Sequence, residues 1–342
     1  MGSVIRAAAL DGFRDLASAM GADPDVLLAR RGLDGDIRPE SLISLEATAH
    51  LLEDAAEQLG CPDFGLRLGA TQNPSMLGAL AAVILNAPDV ERLLADVSGY
   101  LFVHSPAYEV IVDRSSPVDK SCATLRFGIS LDDYAPQRQL IDGCLAMTFH
   151  IIRRVGGPQF RVKAISLPHT PLVLARRYSA FFGAPVHSEQ PYAGLHFGQE
   201  FLNVDLRQVS AQARVDALAE LESTHNARVN TMADLVRHTL IHTMGANKGT
   251  RRETAALLGQ NPRTLQRRLE SAGTSFDEIR EQVYRTVAMH YLCETQIPLG
   301  QVAAALGYSE QSAFTRACRR WFGTTPSTVR ATAGTGDSQT DH

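Results

Sequence analysis

Two short segments near the end of this 342-residue chain space their polar side chains as nucleic-acid recognition requires. The first offers Arg263, Gln266 and Arg267; the second offers Gln311, Ser312, Thr315 and Arg316. Arginine can give two parallel hydrogen bonds to a guanine edge, and glutamine can pair with adenine, both in the major groove. Arg268, Arg319 and Arg320 sit further along and suit phosphate oxygens, which position a protein without reading sequence. One arginine-rich amphipathic helix is usually just a solvated face, but this pattern occurs twice. Ala255-Ala256-Leu257-Leu258-Gly259 precedes the first set and Ala303-Ala304-Ala305-Leu306-Gly307 the second. An apolar stripe, a glycine, a few turn residues and a second helix with outward arginines make the pattern of a helix-turn-helix.

Local signals say which elements must hold these side chains. In the first unit Thr254 through Leu258 form a support helix, and Gly259 stands where a left-handed residue ends it. Asn261 is a cap and Pro262 fits the first helical position. Leu265 and Leu269, four apart, face inward and turn the arginines outward. In the second unit Ser309 is the expected cap, with Phe314, Cys318 and Trp321 or Phe322 inward. Between the units Phe276, Ile279, Val283, Val287 and Tyr291 recur every three or four residues, predicting a helix over 276–294. Nineteen residues at about 1.5 Å each span roughly 28 Å. Successive major-groove faces lie about 34 Å apart, so this helix could set two recognition helices about one turn apart. Residues 244–330 carry 12 Lys and Arg against 7 Asp and Glu, a net of +5, whereas the remainder carries 21 against 30, a net of −9. A basic module on an acidic body fits a nucleic-acid reader attached to something with another task.

The fold class expected is mainly α: an α+β N-terminal domain over 1–205 and an all-α domain of two helix-turn-helix units over 244–330. A helical connector is expected over 206–243 and a disordered tail over 331–342. Ile5, Ala9, Phe13, Leu16 and Met20 share a helical face, as do Leu45, Ala49, Leu52, Ala56 and Leu59, with Gly21 and Gly60 as stops. Asp89 is a candidate cap. Strands are expected at 108–112, 122–129 and 162–167, with one or two more over 186–197, and helices at 136–155 and 172–182. No apolar run approaches the ~18 residues of a membrane span, and no secretory signal opens the chain; the cytoplasm is the expected compartment. Five widely spaced cysteines without a CxxC point to reduced thiols, with no zinc site.

The segments "RTLQRRLESAGTSF" at 263–276 and "VAAALGYSEQSAFTRACRRWFGTTPSTVR" at 302–330 resemble the AraC/XylS class of bacterial transcription regulators. The likeness covers about 250–330, including the joining helix. It implies base-facing roles for Arg263, Gln266 and Arg267 and for Gln311, Ser312, Thr315 and Arg316. Cys318 departs from the phenylalanine that many members carry. "CPDFGLRLG" at 61–69 and "GYLFVHSPA" at 99–107 more loosely resemble the effector domain of the VirS-like and OruR-like branch of that class. This implies a small-molecule sensing domain, distinct from the cupin barrel of the arabinose regulator; the same domain is also expected to mediate dimerisation.

The expected function is therefore a sequence-specific transcription regulator that answers to a small-molecule effector, acyl or fatty-acid-like in chemistry. Its partners would be double-stranded promoter DNA, the effector, a second copy of itself and, for an activator, RNA polymerase. The rival reading is an effector-independent regulator whose N-terminal domain only oligomerises. Tyr100, Phe102, His104 and Tyr108 are candidates to line an effector pocket, and Arg67 to bind an acidic effector or a neighbouring carboxylate. His238 and His242, four apart, have metal-ligand spacing but no third ligand nearby. His104-Ser105 and Asp132-Asp133 hint at hydrolysis. With no GxSxG, HExxH, P-loop or GxGxxG in the chain, neither an enzyme nor a cofactor is expected.

Overall fold

The N-terminal run that reads as one helix opens instead as a strand. In the computed structural model β1 (Val4–Arg6) pairs antiparallel with β2 (Leu42–Ser44), Ile5 opposite Ile43. Residues 7–10 form one tight 3-10 turn, and Gly12 at φ +79° breaks the periodicity before α1 (Phe13–Ala19). The strand wins because Ile5 is buried against a partner far away in sequence. The structure describes residues 3–35, 37–129, 131, 135–206, 210–227, 232–244 and 249–336, in two units, 1–228 and 229–342.

In the first unit α2 (Pro24–Arg30), α3 (Leu45–Gln58), α4 (Phe64–Thr71), α5 (Ala79–Leu85) and α6 (Val90–Tyr100) follow. Side-chain caps start several of them. The Ser44 hydroxyl accepts from Ala47 N at 3.1 Å and the Asp89 carboxylate from Arg92 N at 2.6 Å, satisfying donors a helix leaves open. Next come β3 (Tyr108–Asp113), β4 (Cys122–Ile129), α7 (Arg138–Gly156), β5 (Val162–Ser166), α8 (Ala175–Phe182), β6 (Val186–His187), β7 (Ala193–Gly198) and α9 (Ala211–Ala227). The sheet order is β3-β4-β7-β5-β6, antiparallel except for β5 with β6. One face of the sheet carries Val110, Leu125, Leu195 and Phe197 into a core shared with α5, α6 and α7. Gly65 and Gly69 let α4 lie directly on α7: an added Cβ would stand 2.1 Å from Gln139 O or 2.2 Å from Gly143 O.

The stretch expected as a connector divides. Arg214, Ala217 and Leu221 of α9 are buried, the two apolar residues in the N-terminal core. Beyond it, α10 (Met232–His242) puts Val236 and Leu240 into the core of the second unit. The second unit continues with α11 (Arg251–Leu257), α12 (Pro262–Ser271), α13 (Phe276–Glu294), α14 (Leu299–Ala305), α15 (Gln311–Phe322) and α16 (Pro326–Gly336). Helix α16 continues to Gly336, into the expected tail; 337–342 lie outside the described residues. Two cores flank α13: Leu265, Leu269, Phe276 and Val283 belong to one, Leu292, Val302, Phe314 and Cys318 to the other. Met244, Tyr308 and Trp321 pack against both.

Candidate nucleic-acid interface and ligand cavity

The first helix-turn-helix starts one turn earlier than its apolar stripe suggests. Thr250 caps α11 in a reciprocal box: its hydroxyl accepts from Glu253 N at 3.3 Å, and its N–H donates to Glu253 Oε2 at 3.0 Å. Gly259 takes φ +61°, Asn261 Oδ1 accepts from Arg263 N at 2.9 Å, and Pro262 opens α12. Leu265 and Leu269 are fully buried, so Arg263, Arg267 and Arg268 are exposed as their spacing requires. Gln266 is half-buried and already engaged. Its Oε1 accepts from Arg251 Nη1 at 3.0 Å and its Nε2 donates to Glu270 Oε1 at 2.8 Å.

In the second unit Gly307 takes φ +74°, but Glu310, not Ser309, occupies the cap position. Its carboxylate accepts from the Ser312 hydroxyl at 3.1 Å and makes no cap bond to the backbone. Phe314 and Cys318 are buried, and burial pushes the Cys318 thiol up to about 12. Trp321 and Phe322 are half-buried. Gln311, Ser312 and Arg316 are exposed; the half-buried Thr315 turns its hydroxyl back to Gln311 O at 3.0 Å. Arg319 is exposed, whereas Arg320 is tied to α13: its Nε donates to Glu281 Oε1 at 3.0 Å, an oxygen that also accepts from Trp321 Nε1 at 3.0 Å. A phosphate role for Arg320 would require this bond to open.

Of the effector candidates the structure brings two together. His104 and Tyr108 have ring centroids 6.1 Å apart and line a small apolar cavity between α6, α7 and the sheet, with Cys144, Met147 and Ile151. Its volume is about 50 Å³. Burial, with some help from the Arg6 charge, pushes His104 down to about 3, so the ring is neutral. Burial also pushes the Cys144 thiol up to about 11, beside the Tyr108 hydroxyl. Tyr100 and Phe102 are half-buried but do not line this cavity. Arg67 faces a neighbouring carboxylate: its Nε lies 3.1 Å from Asp63, which also meets Arg177 at 2.8 Å. The side chains of His238 and His242, and Asp132 and Asp133, lie outside the described residues.

The sequence reading missed two buried polar clusters. Asp142 accepts from the Tyr178 hydroxyl and lies 3.3 Å from His169 Nε2, all three fully buried. Asp96 holds Arg214 of α9 on one side and Arg92, at 3.2 Å, on the other. Only the i,i+4 step from Arg92 to Asp96 was readable locally.

Two helix-turn-helix units on one shared helix, each with exposed arginine on its second helix, define a DNA-binding transcription regulator. A family model described as the arabinose-binding domain of AraC transcription regulator, N-terminal, matches residues 21–206, and one described as a helix-turn-helix domain matches 254–332. The chain is 33% identical over 338 residues to the HTH-type transcriptional regulator VirS of Mycobacterium tuberculosis, covering 98% of each. It is 28% identical over 303 residues to the ornithine utilization regulator of Pseudomonas aeruginosa, covering 86% of this chain and 88% of that one. The crystal structure of the transcriptional regulator CdpR from Pseudomonas aeruginosa aligns at 21% identity and TM-score 0.44 over 93% of this chain and 98% of that one. The chain belongs to the AraC-type family of DNA-binding transcription regulators. No helix among the described residues is long and apolar enough to cross a membrane.

Proposed function

We propose that this regulator reads one promoter site with α12 and α15 in adjacent major-groove segments, and that its N-terminal unit tunes this binding to a small, largely apolar effector. The observation that carries the DNA reading is repeated burial: Leu265 with Leu269, and Phe314 with Cys318, point both second helices the same way with respect to their own cores. Arg263, Gln266 and Arg267, then Gln311, Ser312, Thr315 and Arg316, are the base-facing set; Arg268 and Arg319 meet phosphates, joined by Arg320 once it leaves Glu281. Arg267→Ala and Arg316→Ala should each weaken specific binding by about 1–3 kcal/mol, mostly at one base position. Footprinting and competition with base-substituted sites measure this. Normal footprints from both variants would mean that other residues read the site.

The effector reading rests on the apolar cavity at His104 and Tyr108. At about 50 Å³ it holds no more than a water or two, far below the roughly 300–1,000 Å³ of a ligand site. An effector seated in this cavity would therefore select a wider conformer, shifting the population that binds DNA or polymerase. The closed cavity also favours the rival, a regulator whose N-terminal unit only joins two copies in the cytoplasm. Thermal shift of the full chain against a metabolite collection, alongside its mass in solution, separates them: a firm dimer that no compound stabilises supports the rival.

A further inference from the structure

The segment from β1 to α1 separates two spaces. On one side Ile5 and Ala9 face the small apolar pockets that His104 and Tyr108 share. Arg6, Ala7, Ala8 and Leu10 line an open cleft of about 490 Å³, within the size range of small-molecule sites. Its floor is apolar, with Phe13, Leu28, Leu33 and Met76 all buried.

Arg6 stands half-buried in the wall of this cleft, and no described carboxylate forms an ion pair with it. Arg14, on the same cleft, is instead committed to Asp25 at 2.5 Å. Asp11 also lines the cleft but is exposed, where water screens it. The backbone leaves room for the Arg6 guanidinium where it stands. Gly78 takes φ +62°, and a Cβ there would stand 2.3 Å from Arg6 Nη1. A half-buried cation with no carboxylate partner among the described residues is costly to keep. Guanidinium is also the group best shaped to take a carboxylate through two parallel hydrogen bonds.

We propose that this cleft binds a small carboxylic acid with an apolar body, its carboxylate on Arg6 and its body over Phe13, Leu33 and Met76. The ligand would sit one side chain from the inner cavity, because Met76 also lines the pocket beside His104 and Tyr108. Methionine has the flexibility to pass a change in packing between the two. The proposal rests on the effector reading above but seats the effector in this open cleft instead of the inner cavity and names its chemical class; the binding arm of its test does not depend on a transcriptional response.

Titration calorimetry on the full chain with octanoate and 1-octanol tests it. Octanoate should bind about ten-fold tighter than octanol, the margin expected of one charge-assisted contact. Arg6→Met should erase that margin while leaving the apolar contribution, and Ser75→Trp, at an exposed position lining the cleft, should block both compounds. Equal affinities in the parent protein, a margin that survives Arg6→Met, or binding indifferent to Ser75→Trp overturns the proposal. Should Arg6→Met not fold, the Ser75→Trp arm and the octanol comparison still decide. Octanoate bound as described with an unchanged promoter footprint keeps the cleft and removes the effector reading. A footprint that answers to apolar compounds without any preference for a carboxylate does the reverse.

Discussion

Replacing Arg214 by methionine should destabilise the N-terminal unit by about 2–4 kcal/mol. Arg214 donates one guanidinium nitrogen to Asp96 and another to Val83 O at 3.0 Å, tying α9 to α5 and α6. The two charged side chains are only 10% and 3% exposed. Breaking such a pair from one side strands the other charge, which typically costs about 3–5 kcal/mol. Here the loss is offset in part because Asp96 keeps Arg92 at 3.2 Å, but that arginine is 58% exposed, and an exposed partner is worth at most about 1 kcal/mol. Urea denaturation should show the effect in one unit. Trp321 is the only tryptophan and belongs to the C-terminal unit, so its fluorescence should keep its midpoint while the circular dichroism transition splits. Adding Asp96→Leu to Arg214→Met removes the stranded charge and should recover at least half of the loss. A single variant that costs under about 1 kcal/mol, or a double variant worse than the single, would show that the pair does not anchor α9.

Two further perturbations test the cores. Burial first, then the His187 charge, pushes His196 down to about 4, while the unfolded chain titrates near 6.5. The unfolded state therefore holds more protons between these values, and the stability supplied by neutral His196 is complete above about pH 6.5 and lost as pH falls toward 4, about 3 kcal/mol in all. His196→Gln should flatten that limb of the stability–pH curve without abolishing it, since His104 titrates in the same sense; an unchanged slope would contradict the assignment. Gly249→Ala places a Cβ 2.3 Å from Tyr284 Oη at φ +58°, which should cost the C-terminal unit about 2–4 kcal/mol by Trp321 fluorescence. Adding Tyr284→Phe should restore part of it, and a silent Gly249→Ala would mean that Tyr284 has somewhere else to go.

What was legible in the chain is what short-range physics decides. The helix over 276–294 appears with both ends as expected, because a Ser275–Glu278 box starts it and five apolar residues keep its phase. Asn261 and Pro262 announced α12 for the same reason. Ser309 failed as a cap because Ser, Glu and Gln stand in a row there, and tertiary placement of Phe314, not the best capping side chain, decides where the helix begins. Ile5 was misread because its partner, Ile43, is 38 residues away. The same distance problem hides the cleft, where Arg6 lies against Gly78, and the Arg320 bond to Glu281, 39 residues earlier. Arg67 was the opposite case: its partner Asp63 is four residues away, and the local alternative to an effector role was already visible.

The two recognition helices come to DNA from different starting points, and that difference bears on their division of labour. Gln266 must exchange two existing hydrogen bonds, to Arg251 and Glu270, for any bond to a base. An exchange of one polar partner for another returns far less than a bond made from nothing, so the affinity of the first unit should rest on Arg263 and Arg267, with Gln266 refining specificity. The outward set of the second unit carries a single arginine, Arg316, and its Thr315 hydroxyl is turned to its own helix. Arg320 is held by Glu281 together with Trp321, but the Arg320 and Glu281 side chains are 64% and 50% exposed. Giving up this bond for a phosphate therefore costs at most about 1 kcal/mol and adds a contact that reads no base. A promoter site should consequently be read most stringently under α12, with α15 tolerating more base variation while holding register.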